Sequence, residues 1–284
     1  MKKILLLASI SLVLISVRSA ASPLSSLLVF AGAAGKPPTE EVAKLFREKT
    51  GISVDLVFGG SGFVLSQMKL SRKGDLYFPG SSDFMELAKK EGLVFSETEK
   101  IIVYLVPAIT VQKGNPHGIH TLRDLTKEGI RVAIAHPEMV CVGTYAVEIL
   151  EKNLNSSEKE RFRKNLVNYV ESCEKTANVV SLKSVDAVVG WSVFQHWDPD
   201  RIETVYLKPG EISRIGYIPI AVSRFVGDKR PAQRFIDFLL SPSGKEVFRK
   251  YHYFMEPGEA RRLARHDTPV GGEYSLPREW RTKR

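Results

Sequence analysis

Leu28-Val29-Phe30-Ala31-Gly32-Ala33-Ala34-Gly35-Lys36-Pro37-Pro38 is the stretch on which the fold turns. Leu28 to Ala31 is an apolar run and predicts a buried strand. Gly32 to Gly35 carries almost no side chain, and Pro37 and Pro38 suit the first turn of a helix. Val42, Leu45 and Phe46 then recur at helical spacing. Strand, bare loop and helix start follow one another. Backbone amides in such a loop can approach a ligand closely, and the helix start favours negative charge.

The pattern recurs at once. Ile52 to Phe58 reads as a second strand, Gly59-Gly60-Ser61-Gly62 as a second bare loop, and Phe63 to Leu70 as a helix. One such loop is an ordinary βα connection. Two at the same edge of one parallel sheet face a single crevice, where open α/β sheets bind ligands.

The ends of the chain and its composition bound the rest. Of 284 residues, 43% are hydrophobic and 26% charged, enough for one large or two medium domains with a real core. Lys2 and Lys3 precede an apolar run from Ile4 to Val17, and Ser19-Ala20-Ala21 supplies small residues, so residues 1–21 read as a secretory signal peptide and the protein as exported, to the periplasm or extracytoplasmic space. The formal charge is +9, and losing Lys2, Lys3 and Arg18 with the leader lowers it by three, to +6. Such a field draws anions in general. With no arginine-rich run interleaved with aromatics, nucleic acid is not expected as a partner.

Further along, Asp75 to Phe78 predicts a short strand, Ser82 or Asp83 a cap for a helix to Lys90, and Gly92 its end. Ile101 to Val111 is a long apolar strand with Pro107 inside it, which suggests a passage between two lobes. The second lobe repeats the alternation: a strand from Arg131 to Ala135, a helix capped by Thr144, a helix capped by Ser156 or Ser157 through Asn168, and a strand from Asp186 to Trp191. Ile218 to Ser223 is the return passage, and helices follow over Arg234 to Leu240 and Gly244 to Tyr251. The expected division is residues 24–105 with 218–255 as lobe 1 and 106–217 as lobe 2. Residues 256–284 are expected to form a polar, basic, weakly structured tail.

Together these segments resemble the periplasmic molybdate- and tungstate-binding proteins of ABC importers. The resemblance runs from Leu27 to Phe254. It is carried by Val29 to Ala34, Phe58-Gly59-Gly60-Ser61, Gly74-Asp75-Leu76-Tyr77, His136-Pro137-Glu138, Val142-Gly143-Thr144-Tyr145-Ala146, Phe235 to Pro242 and Phe248 to Tyr251. It implies a two-lobed α/β solute-binding fold of type II, with mixed sheets flanked by helices and a ligand cleft between the lobes. It implies capture of a tetrahedral oxyanion, molybdate or tungstate, and delivery to an ABC transporter permease. The implied protein works as a monomer without catalysis, cofactor or protein-ligated metal cation.

Carried over residue by residue, the resemblance implies contacts from the first loop at Ala33, Ala34 and Gly35, where the family's serine hydroxyl is missing, and from Gly60 or Ser61 in the second. Val142 and Gly143 would offer amides, Ser172 a fourth contact, and Gly190 or Trp191 stands where the family often has a tyrosine. Sulfate or another small solute remains an alternative ligand. An enzyme on the same bilobal fold is a further alternative, disfavoured because these loops offer mostly Gly, Ala, Ser and Val. Cys141 and Cys173, the only cysteines, are either a disulfide of an exported protein or two buried thiols.

Overall fold

A computed structural model describes residues 26–281; the expected signal peptide lies outside them. Two five-stranded sheets carry the chain. The strands are β1 (Ser26–Gly32), β2 (Ser53–Gly59), β3 (Leu76–Phe78), β4 (Lys100–Leu105), β5 (Pro107–Gln112), β6 (Val132–Ala135), β7 (Leu166–Val170), β8 (Ala187–Trp191), β9 (Ile202–Val205) and β10 (Gly216–Val222). The first sheet runs β2-β1-β3-β10-β4 and the second β7-β6-β8-β5-β9. In each, four strands run parallel and the fourth in the order runs antiparallel to both its neighbours, that place being taken by a strand arriving from the other lobe. The crossings lie side by side: β4 ends at Leu105, β5 begins at Pro107, and Gly216 of β10 pairs with Leu105.

Helices cover both sheets: α1 (Lys36–Thr50), α2 (Ser61–Ser71), α3 (Ser82–Lys90), α4 (Cys141–Asn153), α5 (Ser156–Asn165), α6 (Cys173–Ser181), α7 (Lys229–Leu240), α8 (Pro242–Lys250) and α9 (Pro257–Arg261). The opening stretch folds as its sequence dictates. Leu27, Val29, Phe30 and Ala31 of β1 are buried, the prolines stand in the first turn of α1, and Gly51 ends that helix at φ 73°, where a side chain would be strained. Val42, Ala43 and Phe46 form the buried face of α1, with Phe46 edge-on to Phe235 at 5.1 Å between ring centres. No helix among the described residues is long and apolar enough to cross a membrane.

Three expectations are corrected. The helix after Asn155 stops at Asn165. Asn155 caps it, accepting from the Glu158 amide at 2.9 Å, and residues 166–170 form edge strand β7 instead of a further turn. Val167, Tyr169 and Val170 are strand-forming residues, and Val167 is more than half exposed at the sheet edge. Helix α4 begins at Cys141 and not at Thr144, whose hydroxyl donates to the Pro137 carbonyl.

The third correction concerns the C-terminal segment, which is not weakly structured over residues 257–281. Val270 bridges to Ile215, and the Ile215 amide donates to Pro269 at 2.8 Å. Trp280 is 2% exposed, packs beside Phe162 and donates to the Glu151 carboxylate at 2.7 Å. The segment also reaches the first lobe. Ser82 donates to the Gly272 carbonyl, and the Tyr274 amide donates to Asp83. A few apolar residues in a polar stretch suffice because neighbouring elements leave fitted places for them.

Candidate functional site

Four helical starts meet between the lobes. The first lobe contributes the 3-10 turn Ala33–Gly35 leading into α1, and α2, whose N-cap is Gly60. The second contributes α4, capped by Val140, and α6, where the Ser172 hydroxyl accepts from the Lys175 amide at 3.1 Å. The first amides of any helix lack acceptors within it, and each helix start carries partial positive charge. Strand topology puts them together, because each start follows the carboxyl end of a strand.

The lobes are shut on one another. The Gly62 amide donates to the Met139 carbonyl at 2.9 Å, and the Lys36 ammonium bonds the Glu174 carboxylate at 2.8 Å, both across the cleft. A Cβ on Gly60 would stand 2.7 Å from the Met139 carbonyl oxygen and 2.8 Å from that of Glu171. A Cβ on Gly80 would stand 2.5 Å from the Cys141 sulfur. The bare loops are therefore what allows such close closure.

Ala33, Gly60 and Ser172 line a cavity of about 410 Å³ at the mouth of the cleft, with Phe58, Gly59, Phe63, Gln67, Glu171, Glu174 and Lys175. Its charges are paired: Lys175 bonds Glu171, whose carboxyl it holds below the usual range, and Glu174 holds Lys36. Phe63 and Gln67 lie one helical turn apart at the start of α2. That spacing, following the second bare loop, is a sequence signal for this wall that the motif-based reading passes over.

The other expected contacts lie deeper. Ala34 is fully buried and its carbonyl accepts from the Tyr253 hydroxyl. Gly35 turns its hydrogens toward Ile218 and Thr39 within the first lobe, so its bareness serves packing there. Ser61 is buried, and its hydroxyl oxygen accepts from the Gly80 amide at 3.0 Å, leaving its own proton for a further acceptor. Val142 is buried in the first turn of α4. Gly143 donates its amide to Val140, and a Cβ there would stand 2.2 Å from the Ala135 carbonyl oxygen, so it is a glycine of helix-on-sheet contact. Gly190 makes room for the Phe194 ring. Trp191 is fully buried, 4.8 Å from Tyr145 between ring centres, and its indole N–H has no hydrogen-bond partner among the described residues. Cys141 and Cys173 are buried thiols with their sulfurs 3.4 Å apart.

The arrangement can hold an anion by oriented neutral donors. Among the described residues no group of three or more His, Cys, Asp and Glu is placed to hold a metal ion.

Residues 27–254 match the family model described as bacterial extracellular solute-binding protein. The molybdate-binding protein ModA of Rhodobacter capsulatus is 24% identical over 230 residues, covering 77% of this chain and 84% of that protein. The sulfate-binding protein SubI of Mycobacterium tuberculosis superposes with a TM-score of 0.73 at 16% identity, over 87% of this chain and 94% of that one. L-Phospholactate-bound PEB3, a protein of Campylobacter jejuni, superposes with a TM-score of 0.65 at 21% identity, over 82% of this chain and all of that one. The shared fold is the two-lobed periplasmic binding protein.

Proposed function

The chain belongs to the bacterial extracellular solute-binding proteins, and from that premise we propose that it captures a small anion between its lobes and hands it to the permease of an ABC importer. The observation that carries this is the meeting of four helical starts across the closed cleft. A dianion leaving water loses hydration worth several kcal/mol or more. Oriented amides and hydroxyls replace that shell without a counter-charge, at about 1.5–3 kcal/mol for each bond to a charged acceptor. The lobes close over the anion and exclude water, and the closed outline is what a permease would recognise. The protein acts after export, as a monomer, and without catalysis.

The first ligand class is a tetrahedral oxyanion, molybdate or tungstate, supported by the relatives and by the Ser61 hydroxyl proton left free for an acceptor. One observation favours a second class, an anion with an organic body such as a phosphorylated carboxylic acid. The mouth cavity of about 410 Å³ is larger than a bare oxyanion needs, and it is lined by Phe58, Phe63 and Gln67 as well as by the bare loops. The resemblance also implies that Ala34 or Gly35, and Gly190 or Trp191, stand where the family often has hydroxyl donors.

Calorimetric titration of the exported protein with molybdate, tungstate, sulfate, phosphate and phospholactate separates these classes. Tight one-to-one binding of molybdate or tungstate alone supports the first, and of phospholactate alone the second. Binding of none of the five overturns the small-anion reading.

A further inference from the structure

Cys141 and Cys173 are the first residues of α4 and α6, the two helical starts that the second lobe brings to the cleft. Their sulfurs are 3.4 Å apart, and each residue is 1% exposed. What covers Cys141 is the opposite lobe: its sulfur sits against Gly80, so near that a Cβ there would stand 2.5 Å away. No backbone segment separates the two sulfurs. A movement of about 1.4 Å brings them to the roughly 2.05 Å of a disulfide.

We propose that Cys141 and Cys173 are an oxidisable pair that closes to a disulfide while the lobes stand apart, and that the bridge fixes the second lobe's half of the anion site. In the closed form burial holds the Cys173 thiol protonated, well above its usual range, so it is unreactive there. Opening withdraws Gly80 and lets an oxidant reach Cys141. The oxidant is the disulfide of an exported thiol oxidase. The Cys141 thiolate attacks one sulfur of that disulfide, forming a mixed disulfide and releasing the oxidase's other thiolate. The Cys173 thiolate then attacks the Cys141 sulfur and releases the second. Two protons and two electrons pass from the pair to the oxidase, and one S–S bond forms for the one broken.

The bridge has two consequences. It closes a loop of about 30 residues in the unfolded chain, which favours the folded state. It also ties the first turn of α4 to that of α6, so both amide sets keep their relative position when a ligand arrives and less ordering is needed on binding. The proposal rests on the receptor reading only in taking the lobes to open.

The test separates the two. The full chain is exported into a bacterial periplasm, purified without reductant, denatured and treated with a maleimide. An unlabelled protein that gains two labels after reduction is the expected result, and it depends on no ligand. Two labels without reduction overturn the disulfide. Reduction of the native bridged protein is expected to lower the melting temperature by about 5–10 °C, and an unchanged melting temperature overturns its structural effect. In the reduced native protein, iodoacetamide is expected to label the pair at least about 100-fold more slowly than in urea, because opening must come first; equal rates overturn the gating. A Cys141→Ser, Cys173→Ser protein, which keeps both positions small and polar, is expected to match the reduced protein in melting temperature and to show no change with reductant.

Discussion

The amide of Gly62 donates to the carbonyl of Met139 at 2.9 Å, and so the second bare loop of one lobe is bonded to the loop before α4 of the other. Gly60, two residues earlier, touches the same place. Its φ of −62° is open to any residue, so its bareness answers to the opposite lobe and not to its own backbone.

That distinction makes Gly60→Val a probe of closure. In the open protein the new side chain meets no backbone constraint. In the closed protein it presses on the Met139 and Glu171 carbonyls, at a cost of about 1–3 kcal/mol. Calorimetry with whichever anion the native protein binds is expected to show affinity reduced roughly 5- to 150-fold, with the melting temperature of the unliganded protein held or raised. Native affinity in this variant would mean that the closed cleft is not the binding form.

Arg214 joins three parts of the molecule. Its guanidinium donates to Asp83 of α3 at 2.8 and 3.0 Å, to Glu148 of α4 at 2.6 Å and to the Gly272 carbonyl at 2.7 Å, with only 3% of the residue exposed. The ring of Tyr145 lies 3.9 Å from the guanidinium carbon. Arg214→Met leaves two carboxylates facing an apolar chain, and urea unfolding is expected to show a loss of about 3–5 kcal/mol. A loss below about 1 kcal/mol would show that Lys152 for Glu148, and the Ser81 hydroxyl and Tyr274 amide for Asp83, suffice without it.

Trp280 tests the C-terminal strap. Trp280→Ala empties a place beside Phe162 and takes one donor from the Glu151 carboxylate, which keeps Lys159 and Arg163. Thermal melting is expected to report a destabilisation of about 3–5 kcal/mol. A melting curve identical to the native one would restore the expectation of a weakly structured tail.

His196 of the second lobe stacks on His252 of the first, with ring centres 3.6 Å apart and 17° between planes. Burial and the charge of His252 hold the His196 imidazole down at about 4. Arg249, Arg262, Glu259, Tyr206 and Tyr253 line the same cavity. The unfolded chain takes up a proton there below about pH 6.5, whereas the folded chain resists until about pH 4. This contribution to stability is whole above that window and is lost as the pH falls through it. Melting temperatures between pH 7.5 and 4.5 are expected to fall more steeply for the native protein than for His196→Gln. Parallel curves would remove this contact from the pH response.

The sequence by itself determined the alternation of strands and helices, the two bare loops and their shared crevice. The reason is local: apolar runs, glycines and prolines constrain the backbone where they stand. The same locality explains what it could not supply. Residues 166–170 carry strand-forming Val167, Tyr169 and Val170, but pairing with the neighbour β6 is what decided strand over a further helical turn. Gly35, Gly143 and Gly190 look alike in sequence to Gly60. Only the packing partners show that the first three serve contacts within their own lobes and that Gly60 meets the opposite lobe. The strap over residues 257–281, the cavity wall of Phe63, Gln67 and Lys175, and the nearness of Cys141 to Cys173 across 32 positions were decided by tertiary structure alone, because each depends on surfaces brought together from distant parts of the chain.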